Sequence, residues 1–336
     1  MRTYISLALL TAGILVTTSA PAMEVTSWVI ENDGRHNAFT DLVRWKDDYY
    51  LCFRKGDGHL SMDGVIHIKR SKDLKTWTDC ATLDTFGDDR DPHFTATDDK
   101  LYVYFGTWDL KHGTGEGTPE RGIIRSYVSS SEDGLKWSAI QGTYQPMWWL
   151  WRVRYHDGKF WCPAYTFGKP SALRLLRSDD GVQWEDHATV SLERIPDEAD
   201  ILWRNDGSVW IVARNEDEKH DAMWFRSDSA MKQWEARSTD TLIHSPVLLE
   251  WNNRVFVAGR GRTDGVYNNG LWELKENVPT LLWASPGSPD CAYPGLIIEG
   301  EGDKTRVLMS WYGQHESVTK SESAAIVYVT EITGLP

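Results

Sequence analysis

A heptad of the form Ser-x-Asp-Gly-x-x-Trp recurs along the chain at intervals of roughly fifty residues. It occupies 71–77, with leucine in the glycine position, 131–137 and 178–184, and a degraded copy covers 227–234. In such a heptad the Ser and Asp side chains accept hydrogen bonds from nearby backbone amides, and glycine supplies a positive φ. The heptad therefore marks a turn, and its recurrence predicts an array of small sheets instead of one continuous sheet.

The segments between these turns have the pattern of short β-strands. Runs such as Tyr49–Phe53, Leu101–Phe105, Val209–Ala213 and Arg254–Ala258 are rich in β-branched and aromatic residues, and each follows a polar turn. Helical periodicity is almost absent. Repeats of a size that suits four strands begin near six positions: His36, His93, Trp149, Glu198, Pro246 and Tyr293. The sequence therefore predicts an all-β fold, a six-bladed β-propeller formed as a single domain by residues 23–336, with five blades as the alternative.

The first 22 residues have the pattern of a signal peptide. Arg2 supplies a positive charge, an apolar run of about twelve residues extends from Ile5 to Val16, and Ala20-Pro21-Ala22 gives a small-x-small cleavage site. The apolar run is too short to span a membrane, and no later segment resembles a membrane span. We therefore expect a secreted or periplasmic protein that is cleaved after Ala22.

The overall charge limits the classes of partner. The formal net charge is −13, from 36 basic and 49 acidic residues. This excess of negative charge makes nucleic acids and anionic membranes poor partners, whereas an anionic sugar can still bind where a few arginines converge. Eighteen tryptophans supply both core volume and flat faces on which sugar rings stack. We therefore expect a glycan or oligosaccharide partner, and an anionic one.

The four cysteines, Cys52, Cys80, Cys162 and Cys291, show neither a CxxC pair nor a metal-ligand spacing. In an oxidising compartment Cys52 and Cys80 could form a disulfide, but buried free thiols agree equally well with the sequence. The sequence requires no metal or other cofactor.

The Ser-x-Asp-Gly-x-x-Trp turns resemble the Asp-box repeats of the sialidase superfamily, although the usual Asp box has one more residue between Asp and Gly. A second resemblance lies at 197–200 and 205–215, where Glu198 precedes a strand, an Asp-Gly turn and Arg214. It is similar to the sialidase segment in which a glutamate activates the nucleophile and an arginine binds the substrate carboxylate. The stretch 292–296 is similar to the one that carries the sialidase tyrosine nucleophile.

These resemblances imply roles for five residues. Tyr293 would be the nucleophile and Glu198 its activating partner, because a carboxylate can take the phenol proton. Arg214 and Arg260 would bind the anionic group of the substrate. Asp63, in the loop before the first heptad, would protonate the leaving oxygen.

One position departs from the sialidase pattern. Sialidases place the first arginine of a triad in an Arg-Ile-Pro sequence of the first blade, whereas the equivalent stretch here has Ala38 at that place. Only Arg35 or His36 lies near enough in the sequence to replace the missing arginine. The departure implies an acidic sugar other than sialic acid.

Other residues near the starts of the repeats are candidates for sugar binding. Arg90 and Arg152 fall on or beside inner strands, and arginine forks bind carboxylate or sulfate groups. The sequence around Asp91, Arg-Asp-Pro, is similar to a signature of five-bladed fructosidase-like glycosidases, in which the Asp contacts sugar hydroxyls. Trp148 is a candidate for stacking on a sugar, and His315 for binding one.

Together these features predict a secreted, exo-acting glycoside hydrolase of sialidase type that removes a terminal acidic sugar from a glycan. Two alternatives stay open. A polysaccharide lyase would use a histidine with a tyrosine to eliminate across a uronic acid, and the candidate histidines are His36, His59, His93 and His315. A non-catalytic sugar-binding propeller would bind sugar equivalently in several blades.

Overall fold

The computed structural model describes residues 22–85, 87–109, 123–166, 171–315 and 323–335. The predicted signal peptide lies outside these residues except for Ala22. The described residues form strands almost throughout, with one short 3₁₀ helix at Gly302–Lys304. In this part of the chain no helix is long and apolar enough to cross a membrane.

The strands form six sheets, numbered here as blades I to VI in chain order. Strand β1 (Glu24–Glu31) precedes blade I. Blades I to III contain β2 (His36–Trp45), β3 (Asp48–Gly56), β4 (Val65–Ser71) and β5 (Thr78–Leu83); β6 (Asp88–Ala96), β7 (Leu101–Asp109), β8 (Ile123–Ser131) and β9 (Gln141–Gly142); and β10 (Trp148–Leu150), β11 (Arg154–His156), β12 (Lys159–Thr166), β13 (Leu173–Ser178) and β14 (Glu185–Ser191). Blades IV to VI contain β15 (Pro196–Trp203), β16 (Val209–Asn215), β17 (Met223–Ser227) and β18 (Glu235–Ser238); β19 (His244–Trp251), β20 (Arg254–Thr263), β21 (Val266–Lys275) and β22 (Val278–Ala284); and β23 (Cys291–Glu299), β24 (Arg306–Gly313) and β25 (Ile326–Thr333).

Within each blade the strands follow one another from the inside to the outside of the ring as antiparallel neighbours. In blade III the inner strand is split into β10 and β11, which both pair with β12. The predicted six-bladed all-β propeller is thereby confirmed, and the five-bladed alternative is wrong, because the sheets of the described residues number six.

Blade VI is completed by the beginning of the chain. Its strand order is β23-β24-β25-β1, so that the N-terminal strand forms the outer edge of the last blade. Across this pairing, a hydrogen bond of 2.7 Å connects the side-chain oxygens of Ser27 and Thr330. The ring is therefore closed by hydrogen bonds between the two ends of the described chain.

The heptads form the turns between the third and fourth strands of blades I to IV. In the second copy the Ser131 hydroxyl oxygen accepts the Gly134 amide at 2.8 Å, and Asp133 accepts the two following amides, both at 2.8 Å. Gly134 has φ +74°, and a Cβ at this position would lie 2.0 Å from the Tyr50 hydroxyl oxygen of blade I. The turn thus needs glycine both for its backbone and for contact with the preceding blade.

Apolar side chains fill the spaces between neighbouring blades, and buried charges join blades near the axis. Arg152, of which 2% is exposed, donates from Nη1 to Asp41 at 2.9 Å and from Nη2 to the Pro294 carbonyl at 3.1 Å. These bonds connect blades III, I and VI. All four cysteines are free thiols, so the possible Cys52–Cys80 disulfide is not formed.

Candidate active site

The same irregularity interrupts the innermost strand of five blades. In each, two residues bulge out of the pairing register, namely 39–40, 91–92, 197–198, 245–246 and 293–294. Phe39, Asp91, Ser245 and Tyr293 have positive φ values between 49° and 58° in these bulges, which non-glycine residues seldom adopt. Bulges and strained residues of this kind re-aim side chains beside functional sites. The repeated bulges bring side chains of different blades to one end of the propeller.

At this end lies a cavity of about 390 Å³. Six of the residues predicted for the hydrolase line it: Arg90, Asp91, Glu198, Arg214, Arg260 and Tyr293. They come from blades II, IV, V and VI, so that the structure brings together residues up to about two hundred positions apart. A larger groove of about 750 Å³ lies at the other end of the strands of blade IV, between Asp206 and Glu235. It is formed by surface turns and contains none of the predicted site residues.

Tyr293 and Glu198 form a pair at the bottom of the cavity. The Tyr293 hydroxyl donates to Glu198 Oε1 at 2.5 Å, and both side chains are buried. Burial, reinforced by the negative charge of Glu198, raises the pKa of Tyr293 well above its ordinary value. The phenol is therefore neutral at rest, and the carboxylate that could accept its proton is already hydrogen-bonded to it.

Glu198 is held in place by two further donors. Arg214 donates to its Oε1 at 3.0 Å, and the Ser245 amide donates to its Oε2 at 2.8 Å. Arg214 also contacts Glu216 and lies 3.6 Å from Asp197. Arg214 thus has three acidic neighbours, and its first contribution to the site is to fix Glu198.

Asp91 lies in the cavity wall beside Arg90. Only 5% of Asp91 is exposed, its Oδ1 has no hydrogen-bond partner among the described residues, and Arg90 Nε lies 3.8 Å away. Burial, opposed in part by Arg90, raises the pKa of Asp91 to about 7. Arg90 itself is sandwiched between the Phe39 and Trp108 rings, at 4.6 and 4.2 Å. Asp91 can therefore present a neutral carboxyl group to a ligand near neutral pH.

Arg260 has different surroundings from the other two arginines of the cavity. It donates to His244 Nδ1 at 3.1 Å and lies over the Tyr267 ring at 5.2 Å. Burial, reinforced by Arg214 and Arg260, lowers the pKa of His244 to about 2, so that this imidazole is neutral. Arg90 and Arg214 pair with carboxylates, whereas Arg260 forms no such ion pair within the described residues, and its buried Nε has no hydrogen-bond partner there. Arg260 is thus the cavity arginine whose charge a ligand can neutralise.

Asp63 and Arg35 do not line the cavity. They form an ion pair with each other on the outside of the loop between β3 and β4, and Arg35 also lies 3.1 Å from Asp57. Burial would raise the pKa of Asp63, but hydrogen bonds from Ser61 and the Asp57 amide and the charge of Arg35 lower it. A carboxylate held ionised in this way is a poor proton donor, so the acid role expected for Asp63 stays a prediction that its contacts do not favour. Nor does Arg35 stand in the cavity in place of the arginine missing at Ala38, because it is paired with Asp57 and Asp63 and does not line the cavity.

Three other predicted binding residues lie outside the cavity lining. Arg152 is buried in the bonds to Asp41 and Pro294 described above. The Trp148 ring is covered by Arg174, whose guanidinium lies at 4.8 Å. His315 stacks on Trp311 at 5.6 Å. The contacts of these three side chains are therefore with other strands and blades of the protein, and not with the cavity.

His36, the predicted catalytic histidine, is fully buried and also lies outside the cavity lining. Its Nε2 is 2.8 Å from Asp290, and its Nδ1 accepts from Arg54 at 3.4 Å. Burial is the main cause that lowers the pKa of His36, which keeps the ring neutral. Substrate cannot reach this ring, and its position suits a role behind the site.

Two clusters contain donor types that bind metal ions in other proteins: His36, His59 and Asp290, and Glu216, His220 and His244. A guanidinium only donates hydrogen bonds, so the contact of Arg54 with His36 Nδ1 places the His36 proton on Nε2. The contact of Arg260 with His244 Nδ1 has the same effect on His244. Both histidines then lack a free lone pair, and the clusters fit hydrogen-bond networks better than metal centres.

Sequence reasoning assigned no role to Asp197 and Glu216, and it considered His59 only for the lyase alternative, although all three line the cavity. A signal for the bulges was present, because proline follows Asp91, Ser245 and Tyr293 at the same phase of three repeats. Proline lacks an amide hydrogen and is tolerated in strands at bulges. No comparable signal marks His59, which lies in a loop between strands.

No protein-family model matches the sequence, and no curated protein matches it. Among solved structures, a protein of unknown function from Dyadobacter fermentans is similar over 93% of this chain and 99% of its own, with 19% identity and a TM-score of 0.77. Trypanosoma rangeli sialidase is similar over 93% of this chain, with 13% identity and a TM-score of 0.66, and this chain spans 60% of its length. The endosialidase of phage phi92 matches over 92% of this chain and 69% of its own, with 11% identity and a TM-score of 0.60. At these identities the likeness shows the fold, a six-bladed propeller of the kind found in sialidases.

Proposed function

We propose that the protein is a glycoside hydrolase that removes a terminal, acidic sugar from a glycan. The single observation that carries the proposal is the buried Tyr293–Glu198 pair, with 2.5 Å between the phenol oxygen and the carboxylate. Tyrosine serves as the nucleophile of sialidases, in place of the usual second carboxylate of glycosidases. The sialidase-type fold supports the same reaction class, and the remaining steps follow from the residues of this cavity.

In the first half of the reaction the Tyr293 oxygen bonds to the anomeric carbon as its proton passes to Glu198, while the glycosidic bond breaks with its electrons on the leaving oxygen, which takes up a proton and departs. Because the pKa of Tyr293 is raised by burial and by Glu198, the nucleophile forms only during this transfer. Arg214 and the Ser245 amide keep Glu198 aligned throughout. In the second half, a water oxygen displaces the tyrosine from the sugar, Tyr293 recovers its proton from Glu198, and the proton that water loses replaces the one given to the leaving group.

The cavity favours one sugar with an anionic group. Its volume of about 390 Å³ lies near the lower end of the roughly 300–1,000 Å³ typical of small-ligand sites. The other cavity arginines are paired with protein carboxylates, whereas Arg260 is bonded to a neutral histidine and can pair with an anionic group of the sugar. Asp91 can donate a hydrogen bond from its neutral carboxyl group to a sugar hydroxyl. Ala38 is fully buried and does not line the cavity, so the innermost strand of the first blade supplies no arginine where sialidases have one. These features support an acidic sugar other than sialic acid.

The test is product analysis after incubation of the purified protein with 4-nitrophenyl glycosides of glucuronic acid, galacturonic acid, sialic acid and rhamnose, in both anomeric forms. We expect release of 4-nitrophenol from at least one uronide, and a loss of about a thousandfold or more in kcat for Tyr293→Phe and Glu198→Gln. Tyr104→Phe is the matched control, because it removes another buried phenol, bound to the Gly181 carbonyl at 2.8 Å, outside the cavity. It should leave kcat unchanged.

Other outcomes would replace the proposal. Sialic acid release would show that Arg260 suffices without the first arginine of the triad. An unsaturated, ultraviolet-absorbing product from a uronic-acid polysaccharide would show β-elimination, the lyase alternative. Absence of turnover with every glycoside and with uronic-acid polysaccharides would overturn the enzymatic function and leave sugar binding.

A further inference from the structure

The loop between β3 and β4 places one histidine at the mouth of the cavity. His59 lines the cavity, and 51% of its side chain is exposed. The loop is held from beneath by Arg54, a fully buried residue that donates to the Gly58 carbonyl at 2.8 Å and to the Ser61 hydroxyl oxygen at 3.0 Å. On the outer side, Asp63 accepts the Asp57 amide at 3.1 Å. These bonds give a surface loop a defined backbone and fix the place of His59.

Asp290 fixes the orientation of the His59 ring. Its Oδ2 lies 2.9 Å from His59 Nδ1 and 2.8 Å from His36 Nε2, and its Oδ1 accepts the Tyr312 hydroxyl at 2.8 Å. Burial would raise the pKa of Asp290, but the hydrogen bonds from the two histidines outweigh it and hold that pKa far below its ordinary range. An ionised carboxylate only accepts, so Nδ1 of His59 carries a proton and Nε2 is the nitrogen that can gain or lose one.

His59 Nε2 is turned to the inside of the cavity. It accepts a hydrogen bond from Arg90 Nη2 at 3.4 Å, so that Nε2 is the unprotonated nitrogen in this structure, and Arg90 is itself a residue of the cavity wall. The rings of His59 and Tyr293 both contact the Phe39 ring, at centroid distances of 5.3 and 4.7 Å. The phenol and the imidazole therefore border the same small space from its bottom and from its mouth. The charged and titratable groups that face the imidazole are Asp290 and His36 on one side and Arg90 on the other.

The mouth is where a proton is needed if a terminal sugar is cleaved from a longer glycan. The cavity has room for one sugar, so the rest of the glycan and the oxygen that links it must lie towards solvent. Asp91 is buried at the cavity wall, and Asp63 is bound to Arg35 on the outer side of the loop. Among the titratable groups of the cavity, His59 is the one that is half-exposed and already oriented by a carboxylate.

We propose that His59, oriented by Asp290, is the general acid and base of this site, an inference that rests on the hydrolase function proposed above. For the first half-reaction His59 Nε2 gains a proton in place of its contact with Arg90, and this proton passes to the glycosidic oxygen as the bond to the anomeric carbon breaks, with the bonding electrons staying on that oxygen. Tyr293 forms the new bond to the carbon. In the second half-reaction His59 Nε2 takes a proton from water as the water oxygen displaces Tyr293, which restores both side chains. Asp290 acts as a positioning residue because the hydrogen bonds of its side chain, within the described residues, go to the two histidines and Tyr312.

The experiment compares two leaving groups on the sugar that the wild-type protein releases: the methyl glycoside, whose leaving oxygen requires a proton, and the 4-nitrophenyl glycoside, whose leaving oxygen does not. For His59→Gln we expect kcat/KM to fall about 10²- to 10⁴-fold on the methyl glycoside and less than about tenfold on the 4-nitrophenyl glycoside. Sodium azide should restore kcat of this variant on the 4-nitrophenyl glycoside by forming the glycosyl azide, since azide needs no base. Asp290→Asn should show the same dependence on the leaving group with a smaller loss.

His156→Gln is the matched control. This ring is 39% exposed, stacks on Trp203 at 4.4 Å, and lies away from the cavity. Its kcat/KM should equal that of the wild type on both glycosides, and circular dichroism should show that all variants are folded.

Equal losses on the two glycosides, or no loss, for His59→Gln would overturn the assignment while leaving the hydrolase function standing. A dependence on the leaving group in Asp63→Asn that is absent in His59→Gln would overturn it in favour of Asp63. If the wild-type protein cleaves no glycoside, the hydrolase function fails and the role of His59 fails with it.

Discussion

Replacement of Arg152 by methionine should destabilise the folded protein by about 3–5 kcal/mol, which is the usual cost of removing one partner of a buried ion pair. Arg152 and Asp41 are 2% and 3% exposed, and their side chains are 2.9 Å apart. The variant would leave the Asp41 carboxylate without its cation, with the Phe94 amide at 2.8 Å as a remaining donor. It would also leave the Pro294 carbonyl without its Arg152 donor at 3.1 Å. Urea denaturation followed by tryptophan fluorescence measures the loss.

A matched control is Arg174→Met, which removes an exposed ion pair. Arg174 and Asp186 are 2.7 Å apart, but their side chains are 36% and 48% exposed, so the loss should be only about 0–1 kcal/mol. A loss below about 1 kcal/mol for Arg152→Met would refute the reasoning that this arginine holds the blades together. Weakened sugar binding at unchanged stability would instead establish the ligand role that the sequence suggested.

Three further outcomes follow from other parts of the structure. The wild type should lose stability as the pH rises from 3.8 to about 7, because the folded protein keeps a proton on Asp91 that the unfolded chain releases in this range. This loss should be smaller in Asp91→Asn, as thermal midpoints at several pH values can show. Gly158 has φ +73° and nothing lies near its Cβ position, so Gly158→Ala should lower the free energy of unfolding by about 1–2 kcal/mol. Gly134→Ala would also place a Cβ against the Tyr50 hydroxyl and should lower it by at least about 1 kcal/mol more. Urea denaturation measures both losses. Cys80, which is half-buried, should be the cysteine that a thiol reagent labels in the folded protein, as mass spectrometry of the labelled peptides can show.

The fold was predictable because its signals are local. Ser131, Asp133 and Gly134 make their turn with hydrogen bonds inside the heptad, so the residues that define the turn are adjacent in sequence. The count of six blades followed from the spacing of such repeats. Strand alternation and turn chemistry depend on neighbouring residues, which a sequence displays directly.

The site was predictable only in part, because its contacts join distant residues. Tyr293 and Glu198 are 95 positions apart, and a resemblance to a known family was needed to place them together. His59 and Asp63 lie in one loop of the same polar character, and the choice between them depends on Arg35 and Asp290, which hold one side chain outside the cavity and orient the other at its mouth. No local pattern encodes such a choice.

Arg152 illustrates the same limit. The sequence placed it on or beside an inner strand, and it does lie between β10 and β11, the two parts of the inner strand of blade III. Whether an inward arginine meets a ligand or a carboxylate is decided by the neighbouring blade, where Asp41 lies 2.9 Å away. An arginine that satisfies a buried carboxylate is lost to substrate, which sequence alone cannot show.

The pairing of β1 with β25 imposes an order on the formation of this molecule. Blades I to V can each complete their sheets from contiguous chain, but the sixth sheet needs one strand synthesised at the beginning and others synthesised at the end. The hydrogen-bonded residues Ser27 and Thr330 are separated by 303 positions. Until residues 326–333 are available, β1 has no partner and remains an open edge that another chain could pair with. Ring closure is therefore a late, high-contact-order step, and protection of β1 amides from hydrogen exchange should be the last to appear during refolding.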